Sequence, residues 1–207
     1  MKVLELFSGS GILSQTFRER GHDAVTYDKY YEATVKADIS LLKIEELSNY
    51  DVIWMSPPCQ TLSMASGNTH WTADRKPRTE KAKETLKIIE KVVQIMHYCI
   101  DNDKIFFIEN PRARMRWFIS DGFRKTVCYC RYGDTRMKPT DIWTNSKTWK
   151  PRPMCNRGNP DHIAAPRGSK TGTQGLKGAY ERGNLPKELC IEICKSCEVE
   201  VKDDTKV

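Results

Sequence analysis

The chain predicts a mainly parallel α/β sheet followed by a small irregular annex, and three observations carry that expectation. Short apolar runs recur at 3–7, 24–27, 51–55 and 105–108, separated by stretches with helical spacing. The longest such stretch, 80–99, places Leu86, Ile89, Val93 and Met96 on one face. From 139 to 183 both periods vanish, and glycine, proline and basic residues take over.

Val3-Leu4-Glu5-Leu6-Phe7 reads as the first strand, broken by the turn Ser8-Gly9-Ser10-Gly11. A helix from Ile12 to Arg20 follows, with Leu13 and Phe17 on one face and Gly21 as its stop. Ala24 to Tyr27 forms a second strand ending at Asp28, and Leu41 to Leu47 a short helix. Asp51 to Met55 is a further strand running into Ser56-Pro57-Pro58-Cys59. Residues 60–79 are polar and aperiodic, the pattern of a mobile functional loop. Ile105 to Ile108 is a buried-type strand that delivers Glu109-Asn110-Pro111. A last helix, Pro186 to Cys197, precedes a charged tail. The expected division is an α/β domain over 1–138, an annex over 139–183, a C-terminal helix over 184–198 packing back on the sheet, and a tail over 199–207.

With 207 residues the chain makes one full-sized domain. Its 39% hydrophobic and 29% charged residues exclude the disordered and collagen-like classes. No apolar run approaches the roughly 20 residues of a membrane helix. The opening MKVLELFSGS has no h-region, so no secretory signal is expected. Eight cysteines in that context point to a reducing, cytoplasmic compartment. Residues 111–183 carry a balance of +11, against −4 for the remainder. Such segregation is the footprint of a polyanion partner, or else a solvated basic face. Trp117, Tyr129, Tyr132, Trp143, Trp149 and Tyr180 lie among these charges, where they suit base stacking or core packing.

In a parallel α/β sheet, ligands bind outside the carboxyl ends of the strands. Four features fall at such ends: the glycine turn, Asp28, the Pro-Pro-Cys turn and Glu109-Asn110. Gly9 and Gly11 allow close backbone approach by a cofactor. Asp28 suits both hydroxyls of a ribose, or caps a turn. Asp38 suits an adenine amino group beside Ile39, or marks a surface turn. Pro57 and Pro58 make the Cys59 thiol project rigidly, either as a nucleophile or as a buried structural thiol. With Glu109 handling a proton, that thiol fits covalent addition to an electron-poor heterocycle.

Phe7-x-Gly9-x-Gly11, Asp28, Asp38-Ile39, Pro57-Pro58-Cys59-Gln60 and Glu109-Asn110, in that order, resemble the DNA cytosine-C5 methyltransferases. Asp134-Thr135-Arg136-Met137-Lys138 resembles the family's Gln-x-Arg-x-Arg motif, and Gly183-Asn184-Leu185-Pro186 its Gly-Asn-x-x-Pro element. The resemblance implies a Rossmann-like class I S-adenosylmethionine-dependent methyltransferase sheet. It implies that Cys59 adds to C6 of a flipped cytosine, with Glu109 at N3 and Arg136 and Lys138 near the base. Phe7, Gly9, Gly11, Asp28, Lys29, Asp38, Ile39, Pro57 and Asn184 would hold S-adenosylmethionine. Residues 60–79, with Arg75, Lys76 and Arg78, would close over duplex DNA. Asp134 stands where the family has Gln, and Lys138 where a second Arg is usual. The stretch from 139 to 183 is much shorter than the family's target-recognition domain, which suggests loose specificity or a specificity partner. The chain is expected to be a monomer from a bacterial or phage-infected cell.

Cys190, Cys194 and Cys197 mimic an iron–sulfur spacing, but their place on a terminal helix makes them helix-face thiols. Cys128, Cys130, Cys155 and His162 form a candidate structural zinc set, with Asp161 as a competing ligand. Otherwise His162 is a surface or DNA-facing residue.

Overall fold

A computed structural model of the chain describes residues 1–156, 158–163 and 178–204. The strands are β1 (Lys2–Leu6), β2 (Asp23–Asp28), β3 (Val35–Lys36), β4 (Val52–Met55), β5 (Ile105–Pro111), β6 (Arg124–Cys128) and β7 (Pro139–Thr144). The helices are α1 (Ile12–Glu19), α2 (Glu80–Asp101), α3 (Ala179–Gly183) and α4 (Lys187–Asp204). All seven strands join one sheet in the order β3-β2-β1-β4-β5-β7-β6. The first five are parallel, and β7 runs antiparallel between β5 and β6. The strand order reverses between β1 and β4, which opens a crevice at their carboxyl ends. This is the Rossmann-like α/β sheet that the sequence predicts.

Alternation along the strands feeds two cores. Leu4, Leu6, Ile53, Met55, Phe106 and Ile108 face α2, which contributes Ile89, Val92, Ile95 and Met96. Val3, Val52, Trp54, Ile105 and Phe107 face the opposite layer, made by Leu13 and Phe17 of α1 and by Leu189, Ile193 and all three cysteines of α4. Those thiols are core residues, as expected for a helix face. Thr79 caps α2 by accepting from Ala82 N.

Four expectations need correction. Leu41 to Leu47 is not one helix; it lies across two 3-10 turns, Ile39–Leu41 and Ile44–Asn49. The irregular region begins later than 139, because β7 is an inner strand of the sheet. The aperiodic loop 60–79 is anchored: Trp71 is buried, its Nε1 donates to Thr61 O, and Trp71 bridges Pro77. The Arg114 guanidinium further donates to the carbonyls of Ser63 and Gly67. Finally, α4 continues through part of the presumed tail to Asp204. Among the described residues, no helix is long and apolar enough to cross a membrane.

Candidate active site

The β1 end turns sharply: Phe7, Gly9 and Gly11 all take left-handed backbone, with φ of +57°, +53° and +66°. A side chain other than glycine is strained there, yet a Cβ on Gly9 would meet nothing within 4 Å. Ser8 Oγ is buried in the same turn with no hydrogen-bond partner among the described residues. Below it, the buried Glu5 carboxylate accepts from Ser14 N at 2.8 Å and fixes the start of α1. Burial pushes the Glu5 carboxyl up from 4.5 to about 7. Nothing in the sequence reading singled out Glu5. Its signal is a carboxylate in the middle of an apolar strand.

Asp28 ends β2 and is buried. Its carboxylate accepts from the main-chain N–H groups of Gly9 (3.0 Å), Tyr30 (2.7 Å) and Tyr31 (3.0 Å). It therefore clamps the glycine turn to the following loop. A carboxylate has about four lone-pair positions, so one remains for a ligand hydroxyl. Asp38 accepts from Ser40 N and pairs with Lys29 at 2.9 Å. The Ser40 N–H, with help from Lys29, holds the Asp38 carboxyl at about 2. Ile39 beside it is buried. Tyr31 packs on Tyr180 of α3 with ring centroids 5.1 Å apart, so α3 lies against the loop after β2. Asn184 follows α3 directly.

The β4 and β5 ends are adjacent through the Met55↔Ile108 pairing. Asn110 Nδ2 donates to the carbonyl of the buried Pro57 at 2.9 Å, locking the two strand-end turns together. Cys59 is half-buried, and its carbonyl accepts from Leu62 and Ser63. Burial, then the charge of Glu109, pushes the Cys59 thiol up, while Lys138 and Arg182 pull it back. Glu109 accepts from the buried Tyr129 hydroxyl at 2.9 Å. Lys138 Nζ sits 3.9 Å from the same carboxylate oxygen and 4.5 Å from the Tyr129 ring centre. Tyr129 is a supporting residue that sequence reasoning assigned to stacking or core.

The geometry brings Lys138, not Arg136, to Glu109. Arg136 is held by Asp134 in a bidentate ion pair and donates to the carbonyls of Arg182 (3.2 Å) and Asn184 (3.4 Å). It positions the segment that leads into α4. The unusual Asp134 is thus its counter-charge.

The basic stretch is also more committed than its sequence suggests. Arg152 pairs with Glu188 and Glu192 of α4. Arg116 makes a bidentate pair with the buried Asp141. Tyr129, Tyr132, Trp143 and Trp149 are buried core, which removes them as base-stacking platforms. Arg157 and Arg167 lie outside the described residues. In the 60–79 loop, Arg75 rests 5.8 Å from the Trp117 ring centre, Lys76 pairs with Asp74, and Arg78 donates to Asn68 O.

Residues 1–113 match the model of the family "C-5 cytosine-specific DNA methylase". The chain is 26% identical over 220 aligned positions to a probable DNA (cytosine-5)-methyltransferase of Frog virus 3, covering 95% of this chain and all of that one. It is 34% identical to the type II methyltransferase M.FnuDI of Fusobacterium nucleatum over 56% of this chain, but spans only 33% of that enzyme. Among solved structures, the Entamoeba histolytica methyltransferase EhMeth superposes with a TM-score of 0.47 at 18% identity, covering 70% of this chain and 52% of that one.

Proposed function

Because the chain belongs to the C-5 cytosine-specific DNA methylase family, we propose that it moves a methyl group from S-adenosylmethionine to C5 of a cytosine in duplex DNA, through a covalent adduct at Cys59. The observation that carries this reading is the convergence of Cys59 and Glu109 on neighbouring strand ends, with Lys138 balancing the carboxylate.

S-adenosylmethionine supplies an electrophilic methyl group when bound. The β1 end fits such a cofactor: an open face over Gly9, an orphaned Ser8 hydroxyl and a carboxylate with spare acceptor capacity. Phe7 and Ile39 would contact the adenine, Asp28 the ribose, and Asp38 the adenine amino group. Gly9, Gly11 and Pro57 would admit the ligand closely, with Lys29 and Asn184 at its rim.

The ring carbons of cytosine are inaccessible inside a stacked duplex, so the base is flipped into the crevice. Cys59 gives up its proton, and the thiolate adds to C6. Glu109 holds a proton at N3, which stabilises the charge that the addition places on the ring. Addition breaks the C5=C6 double bond and shifts its electrons toward C4, giving an enamine that is nucleophilic at C5; the methyl group would pass to C5 as its bond to the sulfonium sulfur breaks and a neutral thioether leaves. Loss of the C5 proton to solvent then restores the C5=C6 double bond and expels the Cys59 thiolate. The Lys138 charge favours the thiolate and offsets part of the penalties of burial and of Glu109, which together still hold the thiol above its ordinary value.

The test incubates the chain with methyl-labelled S-adenosylmethionine and unmodified DNA or RNA, then identifies labelled nucleosides by mass. Labelled 5-methyldeoxycytidine from wild type and none from Cys59→Ala is the expected result. Equal labelling by Cys59→Ala removes the covalent mechanism, and label in RNA alone removes DNA as substrate.

A further inference from the structure

Beside the two aliphatic cores lies a third buried cluster made of thiols alone: Cys128, Cys130 and Cys155. Cys130 and Cys155 are each 5% exposed. With His162 they bring two Sγ atoms and a ring nitrogen within 4.8 Å of one another. Cys155 Sγ is 3.3 Å from His162 Nδ1. Zinc bound at about 2.3 Å from sulfur and 2.0 Å from nitrogen, in tetrahedral geometry, spaces a thiolate and an imidazole nitrogen about 3.5 Å apart. The donor set is therefore already gathered at close to the spacing that the ion requires.

The neighbourhood differs from that of the other buried cysteines. Cys190, Cys194 and Cys197 sit among Leu189, Ile193 and the aliphatic side chains of the sheet. The 128–155 thiols face one another and an imidazole instead. Asp161 does not compete for this position, because it is paired with Arg131. That pair, and the bond from Ile163 N to Thr135 O at 3.1 Å, hold the 161–163 stretch against the turn after β6.

We propose that Cys130, Cys155 and His162 bind a structural zinc ion that ties the 155–162 segment to the end of β6. Cys128 lies in the same buried cluster but turns its thiol to Met154 Sδ, 4.0 Å away, so three protein donors make the site. Binding releases the thiol protons to solvent, leaves the imidazole neutral and involves no redox change. The clip serves a region with little core: among the described residues from 145 to 163, only Trp149 and Cys155 join the buried apolar clusters. An ion there substitutes for missing apolar contacts and sets where that stretch sits relative to the crevice.

The test uses the full-length, tag-free chain purified under reducing conditions with added zinc, then dialysed. Metal content is read by elemental mass spectrometry, and Co(II) replacement by the visible absorption of thiolate-bound cobalt. Wild type is expected to retain about one zinc per chain and to show thiolate–cobalt bands. His162→Ala, at a partly exposed position, is expected to stay folded by circular dichroism and lose tight zinc binding. Cys130→Ser should do the same, whereas Cys194→Ala should retain the ion. Absence of metal from the reconstituted wild type overturns the proposal. So does retention of the full complement by both His162→Ala and Cys130→Ser, or a mass two hydrogens lighter that maps to a Cys130–Cys155 disulfide.

Discussion

The two sides of the crevice are built differently. On the side of β1 and β2, charged groups are mostly satisfied close by in the chain: Asp28 takes Tyr30 and Tyr31 and also reaches Gly9 on the neighbouring strand end, and Asp38 caps its own 3-10 turn. On the side of β4 and β5, the partners are distant: Asn110 reaches Pro57, Glu109 takes Tyr129, and Lys138 donates to Arg182 O. Local wiring makes a turn that survives changes elsewhere. Distant wiring makes a geometry that depends on the whole sheet closing correctly. Binding and chemistry should therefore separate under mutation.

The sharpest break is Glu109→Gln. It preserves shape and the hydrogen bond from Tyr129 but cannot shuttle a proton, and general acid–base groups contribute about 10²–10⁴ in rate. Single-turnover methyl transfer should fall by that factor, with S-adenosylmethionine affinity within about threefold of wild type. A matching loss of cofactor affinity would erase the separation between the two sides. Asp28→Ala is the mirror experiment. Removing a carboxylate that accepts three N–H groups frees the glycine turn, at about 1–3 kcal/mol for each buried group left unpaired. Calorimetric titration should show S-adenosylmethionine binding at least about tenfold weaker, while DNA affinity is unchanged. If DNA binding falls equally, the two sides are one unit.

The same contrast explains what the sequence could carry. The glycine turn, Asp28 and the Pro57-Pro58-Cys59 turn were legible because local chain chemistry creates them: left-handed glycines, strand-end carboxylates and rigid prolines. The parallel strands were legible as apolar runs. β6 was not, because Arg124-Lys125-Thr126 is half-buried edge strand with no hydrophobic alternation. Asp141, wholly buried in β7, reads as a loop residue until Arg116 and Thr126 are brought to it by the fold. The role of Tyr129 escaped for the same reason, and so did the reach of Arg136 to the carbonyls of Arg182 and Asn184. Those partners are ones that sequence distance conceals. Net charge overstates the free cations of the basic stretch, since Arg116, Arg136 and Arg152 are spent on internal pairs.

Glu5 tests the locally wired side through pH. Its carboxyl titrates at about 7 when folded, against 4.5 as the ordinary value. A raised carboxyl pKa means that the folded state binds the extra proton between those limits, so stability falls as pH rises from about 4.5 to 7. At 1.36 kcal/mol per unit, the loss is at most about 3 kcal/mol. Denaturant titrations across that window should show the decline in wild type and a flatter profile in Glu5→Gln. An identical slope in both would remove Glu5 as its source. Glu198 acts in the opposite direction and at lower pH: Arg20, then His22, hold its carboxyl at about 2, so its contribution disappears only as pH falls toward that value.

Tyr129→Phe is the finest probe of the distantly wired side. It removes one hydroxyl that donates to Glu109 and leaves the ring against which Lys138 packs. A hydrogen bond to a charged group is worth about 1.5–3 kcal/mol when fully buried, and less where Lys138 and water replace it. The expected loss in kcat is about tenfold, corresponding to 1.4 kcal/mol. A purely structural role would lower folding stability and leave the kcat of the folded enzyme near wild type. A positioning role predicts something different. Without the donated hydrogen bond the Glu109 carboxyl group is free to turn away from the base, so kcat falls while S-adenosylmethionine affinity and folding stability stay near wild type. Measuring kcat beside the denaturant midpoint in Tyr129→Phe and wild type therefore decides whether the far wall of the crevice merely supports the fold or holds Glu109 in place.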